Sequence, residues 1–194
     1  MGILLGFAPF IVFALLISVS VSLGLWLAFA AAFVITIRDF VESPTLRLLD
    51  AGSALLFGLM ALFTGFIDPS ASLESVRLIV DGGFLAVALV SLVLRRPLTA
   101  DYGHEHMPEA LWNTSAFMRA NYILTAVWTL AFAIMTAADA AVTYYADIPL
   151  SLDIAIGFAA LGLAIAFTVR YPASLALRRE RTDAGATSSS ARKS

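Results

Sequence analysis

From Ile3 to Ile37 the chain reads ILLGFAPFIVFALLISVSVSLGLWLAFAAAFVITI, 35 residues without one charged side chain. As a single α-helix rising about 1.5 Å per residue, this stretch would measure about 52 Å, against a hydrocarbon layer of about 30 Å. The weakest helix formers in it are the serines and the glycine of Ser18-Val-Ser-Val-Ser-Leu-Gly24. A tight turn there predicts two short helices, about Leu4–Ile17 and Leu23–Ile37. One steeply tilted helix is the alternative, and it lowers the total by one.

Four more apolar runs follow, about Pro44–Ile67, Arg77–Leu94, Ser115–Ala140 and Pro149–Val169, each long enough to cross the hydrocarbon. Composition agrees: 60% of residues are apolar and 13% charged, where soluble domains hold roughly 45–50% and about 25%. The surplus apolar surface requires lipid as its solvent. The expected fold is all-α, a polytopic transmembrane bundle of about six helices over residues 1–172. A basic tail, 173–194, follows; its Ser, Ala and Arg show no apolar period and are expected to be disordered. The chain has no cysteine, which excludes disulfides and thiolate metal sites.

Arg38 and Arg47 bracket one connection, Arg95, Arg96 and Arg119 another, and Arg170, Arg178, Arg179, Arg181, Arg192 and Lys193 follow the last run. Eleven of the twelve basic residues thus fall on one side and only Arg77 on the other. The positive-inside rule makes the eleven-charge side, with the C-terminus, cytoplasmic. Opposite lie Asp68, Glu74, Asp139, Asp147 and Asp153. The tail arginines read as a topogenic anchor toward anionic lipid. Membrane lipids are the expected partners; no feature points to nucleic acid or to a cofactor, and none sets an oligomeric state.

The segment Leu49-Asp50 to Ile67-Asp68 aligns without a gap with Ala120-Asn121 to Ala138-Asp139. Asp81 then matches Asp153 after one inserted residue, and Arg95 falls near Arg170. Two such copies, each starting and finishing on the same side, would be parallel helical-hairpin repeats. In the first copy Ala51, Ala54, Gly58, Ala61 and Gly65 make a smooth stripe that a neighbouring backbone can approach. The matching stripe on Ser115–Ala140, the fifth helix in this count, is polar: Asn121, Thr125, Thr129, Phe132, Thr136 and Asp139. In lipid such groups face protein, as interhelical glue or as the lining of a hydrated path. Threonines can also return a hydrogen bond to their own helix.

Asp50 and Asn121 occupy equivalent first-turn positions, where capping or dipole compensation explains them and Arg47 or Arg119 stand ready as partners. The acidic residues Asp68, Asp81, Asp139 and Asp153 would be brought together by the repeat, either as helix-end groups or as a cation or proton site. Gly103-His-Glu-His-Met-Pro108 offers His104, Glu105, His106 and Glu109, but an i, i+2 pair in a loop is not a metal-site spacing. From Met107 to Trp112 a first-turn proline and a tryptophan predict a short interfacial helix. No nucleophile and base pair, phosphate-binding glycine loop or zinc-hydrolase motif occurs, so catalysis has no support.

Phe7-Ala-Pro9-Phe-Ile-Val-Phe13, the acidic turn after the third expected span, Leu94-Arg-Arg-Pro97-Leu98, and then Glu105, Pro108, Trp112 and Asn121 together resemble the intracellular septation protein A family. Its members are small bacterial inner-membrane proteins. Trp112 and Asn121 stand farther apart than in that family, which leaves a sister family as the other reading. The resemblance implies a non-enzymatic, multi-pass protein of the bacterial inner membrane, acting in cell envelope maintenance or septation through helix or lipid contacts, with envelope or division proteins as partners. The alternative, from the residues themselves, is a small-solute or cation channel or transporter that uses the polar stripe.

Overall fold

The computed structural model describes residues 5–42, 47–104, 112, 114–145 and 147–191, with residues 42, 103, 104 and 172–191 as backbone only. Seven α-helices make up these residues: α1 (Ala8–Leu16), α2 (Val21–Glu42), α3 (Leu48–Leu62), α4 (Leu73–Val93), α5 (Ala100–His104), α6 (Ser115–Tyr144) and α7 (Leu150–Ala191). A π-helical turn, Phe63–Ile67, extends α3. Five stretches are long and apolar enough to cross a membrane: Val21–Val41, Leu48–Ile67, Leu73–Val93, Ser115–Tyr144 and Leu150–Tyr171. The chain is therefore a multi-pass membrane protein with five candidate spans.

The expectation of about six spans is corrected at the first run. The break falls where the serines are: Ile17 to Ser20 leave the helix, and the Ser20 hydroxyl accepts from the Leu23 amide at 3.3 Å. The two arms are unequal, however. Helix α2 takes 22 residues, because nothing in Thr36-Ile-Arg-Asp-Phe-Val-Glu42 stops it, whereas α1 has nine, about 13.5 Å at 1.5 Å per residue. That is less than half a hydrocarbon layer. The arm folds back along α2, and Gly24 is what permits it: a Cβ there would lie 3.1 Å from the Ile17 amide nitrogen.

The arm turns inward. Phe7, Phe10 and Phe13 are all buried, and they meet Trp128, Phe132, Phe84 and Phe57 from α6, α4 and α3. Spacing of three residues puts these phenylalanines on one face of a helical arm. The bundle's core is thus aromatic and is filled by the N-terminal arm rather than by a sixth crossing. Around it α4 packs on α6, α2 on α3 and α6 on α7.

The smooth stripe on α3 serves packing, though against rings rather than a bare backbone. A Cβ on Gly58 would come within 2.9 Å of the Phe29 ring, and one on Gly65 would touch the Trp26 indole at 3.8 Å, both on α2. The stripe leaves width for two aromatic side chains, which restore the contact area that small residues give up.

Helix α4 starts at Leu73, one turn before the expected Arg77, because the Ser72 hydroxyl accepts from the Ser75 amide and caps it. Arg77 is consequently inside the span. At the other end Arg95 adopts φ 56°, and the Arg96 amide donates to the Ser91 carbonyl at 2.9 Å. This is the left-handed helix stop usually made by glycine. It sends Leu98, Thr99 and Tyr102 back under the bundle, where all three are buried. The last helix continues to Ala191, where the sequence leads to the expectation of disorder; Ala173-Ser-Leu-Ala-Leu-Arg-Arg-Glu-Arg181 is rich in strong helix formers.

Candidate functional site

Polar groups collect at two levels of the bundle, with the aromatic core between them. At the arginine-rich end Asp50, in the first turn of α3, accepts from the Tyr102 hydroxyl at 2.6 Å. Arg47 pairs with Asp39, lies 3.9 Å from Asp50, and holds its guanidinium over the Tyr102 ring. Burial, reinforced by the Asp50 carboxylate, pushes the Tyr102 hydroxyl up from its ordinary range, so it stays a donor. Asp50 therefore ties α3 to the returning segment after α4. Asn121 instead donates to the Phe117 carbonyl of its own helix at 3.0 Å.

The polar stripe is largely satisfied from within. The Thr99 hydroxyl donates to the Asn121 carbonyl at 2.9 Å and lies 3.2 Å from the Thr125 hydroxyl. Thr129 donates to the Thr125 carbonyl at 2.8 Å. Above them Phe132 and Trp128 fill the space, and the Trp128 indole donates to the Thr168 hydroxyl of α7 at 3.0 Å. Thr136, one turn short of Asp139, keeps a buried hydroxyl oxygen without a hydrogen-bond partner.

At the acidic end the structure brings three of the four expected carboxylates together, around the one basic residue that belongs there. Arg77 Nε donates to Asp139 Oδ1 at 3.1 Å, and Arg77 Nη2 lies 3.2 Å from Asp153 Oδ2. Asp81, one turn after Arg77 on α4, faces the same group. All four residues are buried, and three helices supply them. Gly157 makes the room on α7: a Cβ there would stand 3.3 Å from Arg77 Nη2. A small cavity of about 20 Å³, lined among others by Arg77, Asp81, Gly157 and Phe13, adjoins the cluster. It offers room for about one water.

Asp68, the fourth, does not join. It lies past the π-helical turn and accepts from the Ser70 amide and hydroxyl, fixing the α3–α4 connection. The matched position, Asp139, is in mid-helix because α6 runs on to Tyr144 without a break. The two aligned segments diverge at that point.

The sequence reading missed Arg77 as the centre of the cluster, and Tyr102, Thr99 and Trp128 as partners. A signal for the first was present: Arg77 and Asp81 are an i, i+4 pair, and Arg77 is the lone basic residue among acidic ones. Of the histidine-rich loop, Glu105, His106 and Glu109, like the expected helix from Met107, lie outside the described residues. Among the described residues no group of three or more His, Asp or Glu is arranged to hold a metal ion. Comparison with family models, with curated proteins and with solved structures finds no match.

Proposed function

We propose that this chain is a non-enzymatic protein of the bacterial inner membrane, acting in envelope maintenance or septation through its contacts with lipid and with envelope or division proteins. The observation that carries the reading is the closed interior. Of the stripe that would have lined a path, Asn121, Thr125 and Thr129 bond to their own helix or to Thr99, Asp139 bonds to Arg77, and the aromatic arm fills the centre. What such a bundle offers to its surroundings is its outer surface, on which Phe33, Val34, Leu55, Phe66, Val93 and Leu163 are exposed. The short motifs shared with the septation protein A family supply the physiological setting. In this reading eleven basic residues and the C-terminus face the cytoplasm, and the two hairpins are diverged parallel copies.

Single cysteines at positions 125, 129 and 136 of this cysteine-free chain test the closed interior, since a small water-soluble thiol reagent needs thiolate and therefore local water. Protection at 129 and 136, with at most slow labelling at 125, is expected. Rapid labelling at all three, suppressed by a solute, would replace this reading with a transport function.

A cation or small-solute pathway is the second reading, and one observation favours it: four ionisable groups converge inside the span. Groups of this kind are costly in a membrane and commonly mark ion or proton sites.

A further inference from the structure

Arg77 is shared between two carboxylates, and no ion pair joins it to Asp81. Its Nε serves Asp139 Oδ1 and its Nη2 faces Asp153 Oδ2, while Asp139 Oδ2 and both Asp153 oxygens are fully buried without a hydrogen bond. The side chain beside Asp139 is Asp81, itself buried, on the face of α4 that carries Arg77. An ionised carboxyl only accepts hydrogen bonds, so two of them in contact repel, and in a medium of low dielectric they repel strongly. One proton converts that repulsion into a short bond. Charge points the same way. With Arg77 against Asp81, Asp139 and Asp153, full ionisation leaves two unmatched negative charges inside the span, and Glu74, near Asp153, adds to them. The N-terminal arm contributes the apolar residues Phe10, Phe13, Ala14 and Ile17 to the cavity wall.

We propose that Asp81 is a proton-binding site, a neutral carboxylic acid that donates to the Asp139 carboxylate and completes the junction of α4, α6 and α7. The ligand is a proton rather than a metal ion. Hard cations take about six or more oxygen ligands, and here a guanidinium already occupies the centre, with room beside it for about one water. That cavity, walled by Asp81 and by the N-terminal arm, is where a water could exchange the proton. Removal of the proton would set two carboxylates against each other at the point where three helices meet, so the site couples proton occupancy to helix packing. This inference goes beyond the proposed function and does not depend on it.

The test is infrared spectroscopy of the full chain in lipid nanodiscs at pH 7, where solvated carboxyls are ionised. The wild type should show a protonated-carboxyl carbonyl band that shifts in D₂O. Asp81→Asn should remove a component of that band which Asp153→Asn retains. Absence of the band, or a band unchanged in Asp81→Asn, would overturn the proposal. A band that appears only when sodium or potassium is withdrawn would overturn it in favour of a cation site. If Asp81→Asn does not fold, Asp81→Glu should fold and keep the band at a shifted frequency; Asp81→Glu without the band counts against the site.

Discussion

Phe7 lies flat on Trp128, with ring centroids 3.5 Å apart and the planes 7° from parallel. The contact joins the first described residues of the chain to the middle of α6 and fixes how deeply the N-terminal arm enters the bundle. Phe7→Ala should lower stability by about 3 kcal/mol, the scale of a large truncation in a filled core. In a background of Trp26→Phe and Trp112→Phe, Trp128 emission should shift to the red as the arm loosens. Unchanged emission and melting temperature would count against an inserted arm.

The Tyr102–Asp50 bond leaves no space at Gly6, where a Cβ would fall 2.2 Å from the phenolic oxygen. Gly6→Ala is expected to displace Tyr102 and to destabilise the bundle about as much as Tyr102→Phe does, about 1 to 3 kcal/mol for a buried acceptor left unpaired. The two changes together should cost less than their sum, because they break the same bond.

Alkaline pH provides another handle on that bond. The Tyr102 hydroxyl is held protonated in the folded chain by burial and by Asp50, while an unfolded tyrosine ionises near pH 10. Above that value the unfolded state binds fewer protons than the folded one, so stability falls as pH rises. Stability against pH from 9 to 12 should drop more steeply for the wild type than for Tyr102→Phe; parallel curves would remove Tyr102 from the account.

Arg77 is the one cation shared by two buried carboxylates, so Arg77→Gln should cost about 3 kcal/mol or more, the usual result of leaving buried charge unmatched. Adding Asp139→Asn to it should recover part of the loss. Additive losses would show that Arg77 and Asp139 do not act as a pair.

On α3, Gly58→Ala is expected to cost about 1 kcal/mol because the Phe29 ring must shift, and Gly58→Leu more. Gly65→Ala, with its nearest neighbour at 3.8 Å, should be close to neutral. Thr129→Val should stay within about 1 kcal/mol, since it gives up only a bond to its own helix. Melting temperatures in one detergent would order all four.

Topology is open to direct measurement. A reporter fused after Arg181 should be cytoplasmic and one inserted near Ser72 extracytoplasmic, as eleven basic residues against one require. Both on one side would end that orientation.

Four spans and the break near Ser18–Gly24 were legible because apolar length and weak helix formers are local properties of the chain. The arm's fate was not. Phe7, Phe10 and Phe13 have the same lipid-compatible character whether a nine-residue helix lies in the interface or in the core, and only Trp128, Phe132, Phe84 and Phe57 decide between them. Asp81, Asp139 and Asp153 could be proposed as neighbours from the alignment of the two hairpins. Asp68 instead holds the α3–α4 connection, and neither the π-helical turn before it nor its bonds from Ser70 carry a periodic signal. Arg77 stands at the edge of its expected span because the Ser72 cap, which lengthens α4 by one turn, lies outside the apolar run that marks the span.

The folded-back arm also sets an order of assembly. The stacking partner of Phe7 is synthesised 121 positions after it, with the Thr168 hydroxyl that holds the indole later still. Until α6 and α7 have entered the bilayer the arm has no pocket, and three phenylalanines must wait in lipid or at its surface. Docking of the arm is therefore the last step of assembly, and a nascent chain halted before α6 should expose the segment around Phe7 to proteases that the finished bundle excludes.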